Sequence, residues 1–377
     1  MVYLWIHFFK RFQKACFYFL APFLAPLFFP NLQPLEQLIF IFFPLGLFLR
    51  PLFSMFFGRF KQLFVVRISL MIHVLGSFAI VCIPSSLGIL TPLLFLGLKN
   101  ILDFFSAPKT TATSLLYLEK QEKKSAHYEM LGMLGTLFAG ILVLLLLFFD
   151  ALYLWRLLYF ISGLSFLVFW KVPKTSPSIQ KTQLYFPHLL TVIAQTGFSY
   201  AIFLMSTHLI HAYMLENHYD PTLSLSLLLC FMTLDILLLP LFGRLSHRIG
   251  EKAQMQLSVF LATLFSIPLF FFFDISISFN LFFIRFFLIL IGVMFAAPFY
   301  SYQKNLFKDD AFYNLSVGRS IGKEWLGYPS ISICLFLHQY LPIHFAFGGY
   351  LSLLGLMTYI LMQRAKPASI VRPEPFL

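Results

Sequence analysis

Runs of about 20 apolar residues alternate along the chain with short polar connections. A hydrocarbon core about 30 Å thick takes about 20 helical residues, so each run predicts one membrane-spanning helix. Twelve are expected, at 15–30, 38–57, 68–86, 92–118, 128–149, 151–170, 188–214, 222–242, 253–273, 279–303, 313–337 and 343–362. Turn residues mark the connections, among them Asn31-Leu32-Gln33-Pro34, Pro84-Ser85-Ser86 and Asp220-Pro221. One polar interruption organises the rest. In Leu241–Lys252, LFGRLSHRIGEK, Arg244, His247, Arg248, Glu251 and Lys252 sit around Gly243 and Gly250. This predicts a tight basic hairpin between the eighth and ninth spans. It has an echo: Leu234–Leu245 lies without a gap over Leu49–Phe60, matching Leu49/Leu234, Phe57/Phe242, Gly58/Gly243 and Arg59/Arg244. The offset is about half the chain, the signature of an internal duplication. The predicted fold is therefore an all-α polytopic membrane protein, with twelve transmembrane helices in two pseudo-symmetric six-helix halves. The halves are expected at 1–170 and 188–377, joined by a cytoplasmic linker at 171–187 that is rich in Lys, Ser, Thr and Pro.

Composition excludes a soluble protein. Of 377 residues 59% are hydrophobic and 11% charged, with mean hydropathy +0.84, whereas a soluble domain carries roughly 25% charged residues. The net charge of +12 could suggest nucleic acid, but its placement gives another reading. Lys10, Arg11, Lys14; Arg59, Lys61, Arg67; Lys120, Lys123, Lys124; Lys171, Lys174, Lys181; Arg244, Arg248, Lys252; Lys304, Lys308; and Arg364, Lys366, Arg372 all fall on one side of the predicted layout. The opposite connections contain no Lys or Arg. The positive-inside rule then places both termini in the cytoplasm, with the chain in a bacterial inner membrane and no nucleic-acid partner. The 51 Phe suggest an AT-biased genome. Cys16, Cys82, Cys230 and Cys334 lie in apolar runs without ligand spacing, so no metal is expected. No cleavable signal peptide is evident, and no phosphate-cradling loop or nucleophile elbow marks an enzyme.

Several stretches resemble the major facilitator superfamily, and within it the metabolite:proton symporter branch that includes proline/betaine and α-ketoglutarate carriers. They are Phe28-Phe29-Pro30, Leu49-Arg50-Pro51-Leu52 followed by Phe57-Gly58-Arg59, Trp155-Arg156 with Ser162-Gly163-Leu164 behind it, the Lys171–Pro173 exit, and Phe242–Gly250. The last is similar to the superfamily's Gly-x-Leu-x-Asp-Arg-x-Gly-Arg hairpin. His247 and Gln62 stand where that hairpin has Asp, and Lys99–Asp103 stands where the fourth span has Arg-x-x-Gln-Gly. The acids of the first helix are absent, with Gln13 the nearest polar residue. The resemblance implies a carrier whose two halves rock about a site between helices 1, 4, 7 and 10.

The charges left inside spans carry the candidate chemistry, because a charge at bilayer depth costs about 2.5–3.5 kcal/mol on insertion scales. They are Arg50, Lys99, Lys109, Arg156, Arg285, Arg319 and Lys323, against Asp103, Asp235 and Glu324, with Glu129 near a helix end. Lys99 and Asp103 are i,i+4 and can pair. Arg50 and Asp235 occupy equivalent positions in the two halves, which allows a direct pair. Pro108 is expected to bend the fourth span beside Lys109. The substrate-binding candidates are Lys99, Lys109, Arg285 and Arg50. The coupling and gating candidates are Asp103, Asp235, Lys323, Glu324, Arg244 and Arg248. Each has a structural alternative: Arg50 as an inter-helix latch, Arg156 snorkelling to the surface, Arg319 near a helix end. His208 and His211 are i,i+3, suited to a proton relay or a surface role rather than a metal. The basic interior predicts a secondary transporter for a small organic anion, a carboxylate, working as a monomer in lipid without a cofactor and with a co-transported proton. The alternatives are a proline/betaine-type zwitterion symporter, as the resemblance implies, and a non-transporting sensor or scaffold.

Overall fold

The computed structural model describes residues 2–28, 49–84, 90–121, 124–180, 182–211, 214, 219–273, 278–307 and 310–365. It is a bundle of helices: α1 (Val2–Phe28), α2 (Leu49–Phe57), α3 (Gln62–Val81), α4 (Leu90–Leu118), α5 (Ser125–Phe148), α6 (Arg156–Phe166), α7 (Phe186–Leu204), α8 (Pro221–Ile249), α9 (Glu251–Phe271), α10 (Ser278–Ala296), α11 (Phe299–Lys304), α12 (Ala311–Ile321), α13 (Pro329–His338) and α14 (Gly349–Arg364). π-helical turns extend α7 (Met205–Leu209), join α12 to α13 (Gly322–Gly327) and open α14 (His344–Gly348). With α10–α11, α12–α13 and the last π turn with α14 each taken as one span, these are the twelve expected crossings. Among the described residues eight are long and apolar enough to cross a bilayer by themselves. Lipid-facing positions stay apolar, as at Leu75, Phe148 and Leu353. The expected stretch 38–48 lies outside the described residues.

In the first half α1 packs along α5, α4 and α6, and α3 packs on α4 and α6. In the second α9 packs on α10 and α14, and α7 packs on α12, α14 and the Gly322–Gly327 turn. The halves meet along two seams. One is α5 against α8; the other is α2 and α4 against α12. The linker is tied to both halves. Gln180 N donates to Arg59 O at 2.8 Å, Arg67 Nη1 to Val172 O at 2.9 Å, Gln183 N to Asp310 Oδ2 at 3.0 Å, and Tyr185 N to Asn314 Oδ1 at 2.9 Å.

Two sequence expectations are corrected. The first helix begins at Val2 rather than 15, and its 27 residues span about 40 Å. Lys10, Arg11 and Lys14 are therefore inside the bundle and not a basic flank. Val2–Phe9 is itself apolar enough to continue the span, and the three cations that follow hid this. The second correction concerns the hairpin. α8 runs on through Arg244 and Arg248 to Ile249, and a single residue, Gly250 (φ 92°, ψ 140°), joins it to α9. Such a backbone is open to glycine and strained for any L side chain. Gly243 is an interior helix position, where a Cβ would come 2.7 Å from Ala126 Cβ. The asymmetry with the first half is plain, since α2 ends at Phe57, just before Gly58.

Candidate functional site

At the centre, Arg50 ties the two halves together. Its side chain is buried at the start of α2. Nη1 donates to Glu324 Oε1 at 2.5 Å, and Nη2 donates to Asp103 Oδ2 at 2.7 Å. Lys99 Nζ lies 3.3 Å from the same Asp103 oxygen and 4.0 Å from the Phe17 ring centroid. The i,i+4 pair expected on the fourth span is present. The Arg50–Asp235 pair is not: Arg50 faces α4 and the Gly322–Gly327 turn, while Asp235 is on α8, at the other seam.

Asp235 lines a cavity of about 50 Å³ together with Arg11, Glu129, Tyr200 and Ser206. Arg11 Nη2 donates to Glu129 Oε1 at 2.5 Å, and His7 Nε2 approaches Glu129 Oε2 at 4.0 Å. Among the described residues Asp235 makes no ion pair.

Two ammonium groups from opposite halves lie over the same pair of rings. Lys14 Nζ on α1 is 4.0 Å from the Tyr328 centroid and 5.5 Å from that of Tyr200. Lys323 Nζ is 4.8 Å and 5.2 Å from the same two centroids. Neither has a carboxylate partner among the described residues, since Glu324, next to Lys323, is held by Arg50. Lys109 is fully buried on α4, its Nζ 4.6 Å from the Phe166 centroid and without a hydrogen-bond partner among the described residues. Pro108 lies within the helix beside it.

Other predicted residues are placed elsewhere. Arg285 is buried, but its Nε and Nη2 donate to Ser206 O and Thr207 O at 3.2 and 3.3 Å. Those carbonyls belong to the π turn that extends α7, so Arg285 holds that turn. Arg319 crosses a seam: Nη1 donates to Ser114 Oγ at 2.9 Å, and Nε donates to Gln303 Oε1 at 2.7 Å. At the same end of the bundle Lys304 Nζ donates to Leu118 O at 3.4 Å and Tyr300 packs edge-on to Tyr128. Arg244 and Arg248 are exposed at that end. Arg244 borders a cavity of about 310 Å³ with Lys124, His127, His247, Glu251 and Ser301. His208 and His211 are buried rather than on the surface. His211 Nδ1 meets Ser224 Oγ at 2.8 Å, and His208 lies among the rings of Tyr18, Phe19 and Phe203. Among the described residues no three His, Cys, Asp or Glu group as metal ligands do.

Lys10, Lys14, Tyr200 and Tyr328 were missing from the sequence candidates. In sequence the two lysines read as part of a cytoplasmic flank. The two tyrosines carry no sequence signal that separates them from the chain's other 15.

No protein-family model matches the chain, and no curated protein sequence matches it. Solved structures do. A bacterial homologue of the iron transporter ferroportin, in an outward-facing state, superposes with a TM-score of 0.67 at 15% identity, over 96% of this chain and 98% of that one. A D-xylose-proton symporter gives 0.71 at 10% identity, over 97% of each chain. The human organic anion transporter MFSD10 gives 0.62 at 11% identity, over 96% and 98%. Coverage is end to end at identities too low to carry a substrate across. The chain has the fold of the major facilitator superfamily.

Proposed function

We propose that this chain is a secondary transporter of a small organic anion of the carboxylate class, working by alternating access in a bacterial inner membrane with both termini in the cytoplasm. The observation that carries the reading is the imbalance of charge at the centre. Asp103 and Glu324 are engaged by Arg50 and Lys99, and Glu129 by Arg11, while Lys14, Lys323 and Lys109 lie against ring faces and pair with no carboxylate among the described residues. A cation–π contact contributes up to about 2 kcal/mol when desolvated. Removing an ammonium from water costs several kcal/mol. An anion between Lys14 and Lys323 offsets the remainder and draws the two halves together through one ligand. The other cations suggested by the sequence, Lys99, Arg50 and Arg285, act in this reading as supports: two as ion-pair partners, one as the brace of a π turn.

Alternating access needs a site that binds the substrate in both states without strongly favouring either. The Arg50 bridge, with Asp103 and Glu324, is the part that changes partners as the halves separate. Asp235 is the acid proposed to carry a coupling proton, because it lines the cavity at the α5/α8 seam without an ion-pair partner among the described residues. Arg244 and Arg248 are proposed to act at the cytoplasmic surface, in opening and closing.

The test is the melting temperature of the purified protein against carboxylates, betaine, proline and organic cations. A ligand at 100 times its Kd stabilises the folded state by about 2.7 kcal/mol. One carboxylate is expected to raise the melting temperature in the native protein and not in Lys323→Gln. In vesicles, Asp235→Asn is expected to keep carboxylate exchange while losing accumulation driven by a pH gradient. A shift only with betaine, proline or a cation, unchanged in Lys323→Gln, overturns the anion reading. Unchanged accumulation in Asp235→Asn removes that residue from coupling.

A further inference from the structure

A second cavity lies wholly within the first half. It measures about 20 Å³ and lies between α1, α3, α4 and α6, lined among others by Lys10, Lys14, Ser106 and Tyr159. That volume has room for a sphere the size of a water molecule or a monatomic ion. Lys10 is 5% exposed and Ser106 3%. Ser106 Oγ, Tyr159 Oη and Lys14 Nζ have no hydrogen-bond partner among the described residues. The one carboxylate on the wall, Asp103, is engaged by Arg50 and Lys99. The other polar groups are also in use: Gln13 Nε2 donates to Ser77 Oγ at 2.6 Å, and His73 Nδ1 meets Ser69 O at 2.6 Å.

We propose that this cavity holds a single halide-sized inorganic anion, bound by the ammonium groups of Lys10 and Lys14 and the hydroxyls of Ser106 and Tyr159. Two unpartnered hydroxyls, the unpartnered ammonium of Lys14 and the side chain of Lys10 line this small space. A water there satisfies the hydroxyls and leaves the charge unmatched; a monovalent anion answers both. All the lining groups belong to one half, so the anion moves with that half. It is a resident ion rather than a ligand shared across the seam. Lys14 also lines a neighbouring cavity that reaches Tyr200 and Tyr328, so the anion sets the field at the central rings. The halide site rests on its own cavity and shares Lys14 with the organic-anion reading.

The probe is sodium bromide, added to protein purified in gluconate and compared with gluconate at equal ionic strength. The melting temperature is expected to rise with bromide along a saturating curve and not with gluconate. Ser106→Ala with Tyr159→Phe is expected to weaken the apparent bromide affinity by about tenfold or more, the scale of losing hydrogen bonds to a charged group. If the double variant does not fold, Tyr159→Phe alone serves, since it keeps the ring contacts with Phe95 and Trp155. Lys323→Gln separates the two readings: it is expected to lose any carboxylate response and keep the bromide response. Equal responses to bromide and gluconate, or an unchanged bromide affinity in Tyr159→Phe, overturn the inference. So does an anomalous bromide peak outside this cavity.

Discussion

At Arg50 a single guanidinium serves two carboxylates on different helices, Asp103 in its own half and Glu324 in the other. Arg suits this role because its planar fork presents several donors at once, which a Lys ammonium cannot match in geometry. Breaking a buried pair by removing one partner costs about 3–5 kcal/mol, because the other charge is left uncompensated. Arg50→Met is therefore expected to lose stability on that scale in detergent unfolding. Adding Glu324→Gln to it is expected to restore part of the loss. Strict additivity of the two substitutions would mean that the residues do not interact. The sequence showed that Arg50, Asp103 and Glu324 were costly where they stood. It did not show their pairing, because Arg50 and Glu324 are 274 positions apart and only the closed bundle brings them together. The Lys99–Asp103 pair was legible because one helical turn fixes it.

Among the described residues, three π turns are present, all in the second half and largely buried. A π turn carries an extra residue in its helix and often marks a functional position. The Met205–Leu209 turn directs two carbonyls to Arg285, and the Gly322–Gly327 turn carries Lys323 and Glu324 to the centre. This second turn is pressed against α7: a Cβ on Gly322 would lie 2.2 Å from Ile193 O. Gly322→Ala must push two backbones apart, at a cost of about 1–3 kcal/mol or more. Gly97, on α4, has open space for 4 Å around the place a Cβ would take, so Gly97→Ala is expected to be neutral or to stabilise by up to about 1 kcal/mol. Comparing the melting temperatures of the two variants checks this; equal losses would contradict it. Hydropathy found these spans and not their π turns, because no residue pattern in GKEWLG separates a π turn from an α turn. The Gly250 joint was legible as a turn, but its length was not. Arg244 and Arg248 look like loop residues in sequence, yet they sit on the last turns of a helix that extends beyond its apolar run.

On the scale of the whole molecule, the halves are fastened at the centre by Arg50–Glu324 and, toward the Gly250 end, by Arg319–Ser114 and Lys304–Leu118. At that end Ser301 N also donates to Ser125 Oγ at 3.4 Å across the seam. Alternating access requires these contacts to part. With Cys82 and Cys230 replaced, Ser125→Cys plus Ser301→Cys joined through mixed disulfides by a short bis-thiosulfonate crosslinker is expected to abolish transport, and a reductant that cleaves those disulfides is expected to restore it. Full transport in the crosslinked protein would show that this end does not open. The helical membrane fold was readable because apolar runs of bilayer length survive sequence drift, whereas the Leu49/Leu234 alignment meets a helix end at Gly58 and a helix interior at Gly243. The charge rule that supported the layout also misplaced Lys10, Arg11 and Lys14: it treats cations as markers of helix ends, and here a helix carries them into the interior.

That first helix has a consequence for how the protein is made. Lys10, Arg11 and Lys14 reach the translocon before any acid that could pair with them. Each costs about 2.5–3.5 kcal/mol near the middle of a bilayer. Glu129, which binds Arg11, follows 118 residues later, roughly 10 s at about 5–20 residues per second. During that interval Arg11 lacks the carboxylate that pairs with it, so α1 is expected to settle fully in lipid only once α5 has emerged. Insertion of α1 is therefore expected to be coupled to that of α5 rather than completed on its own.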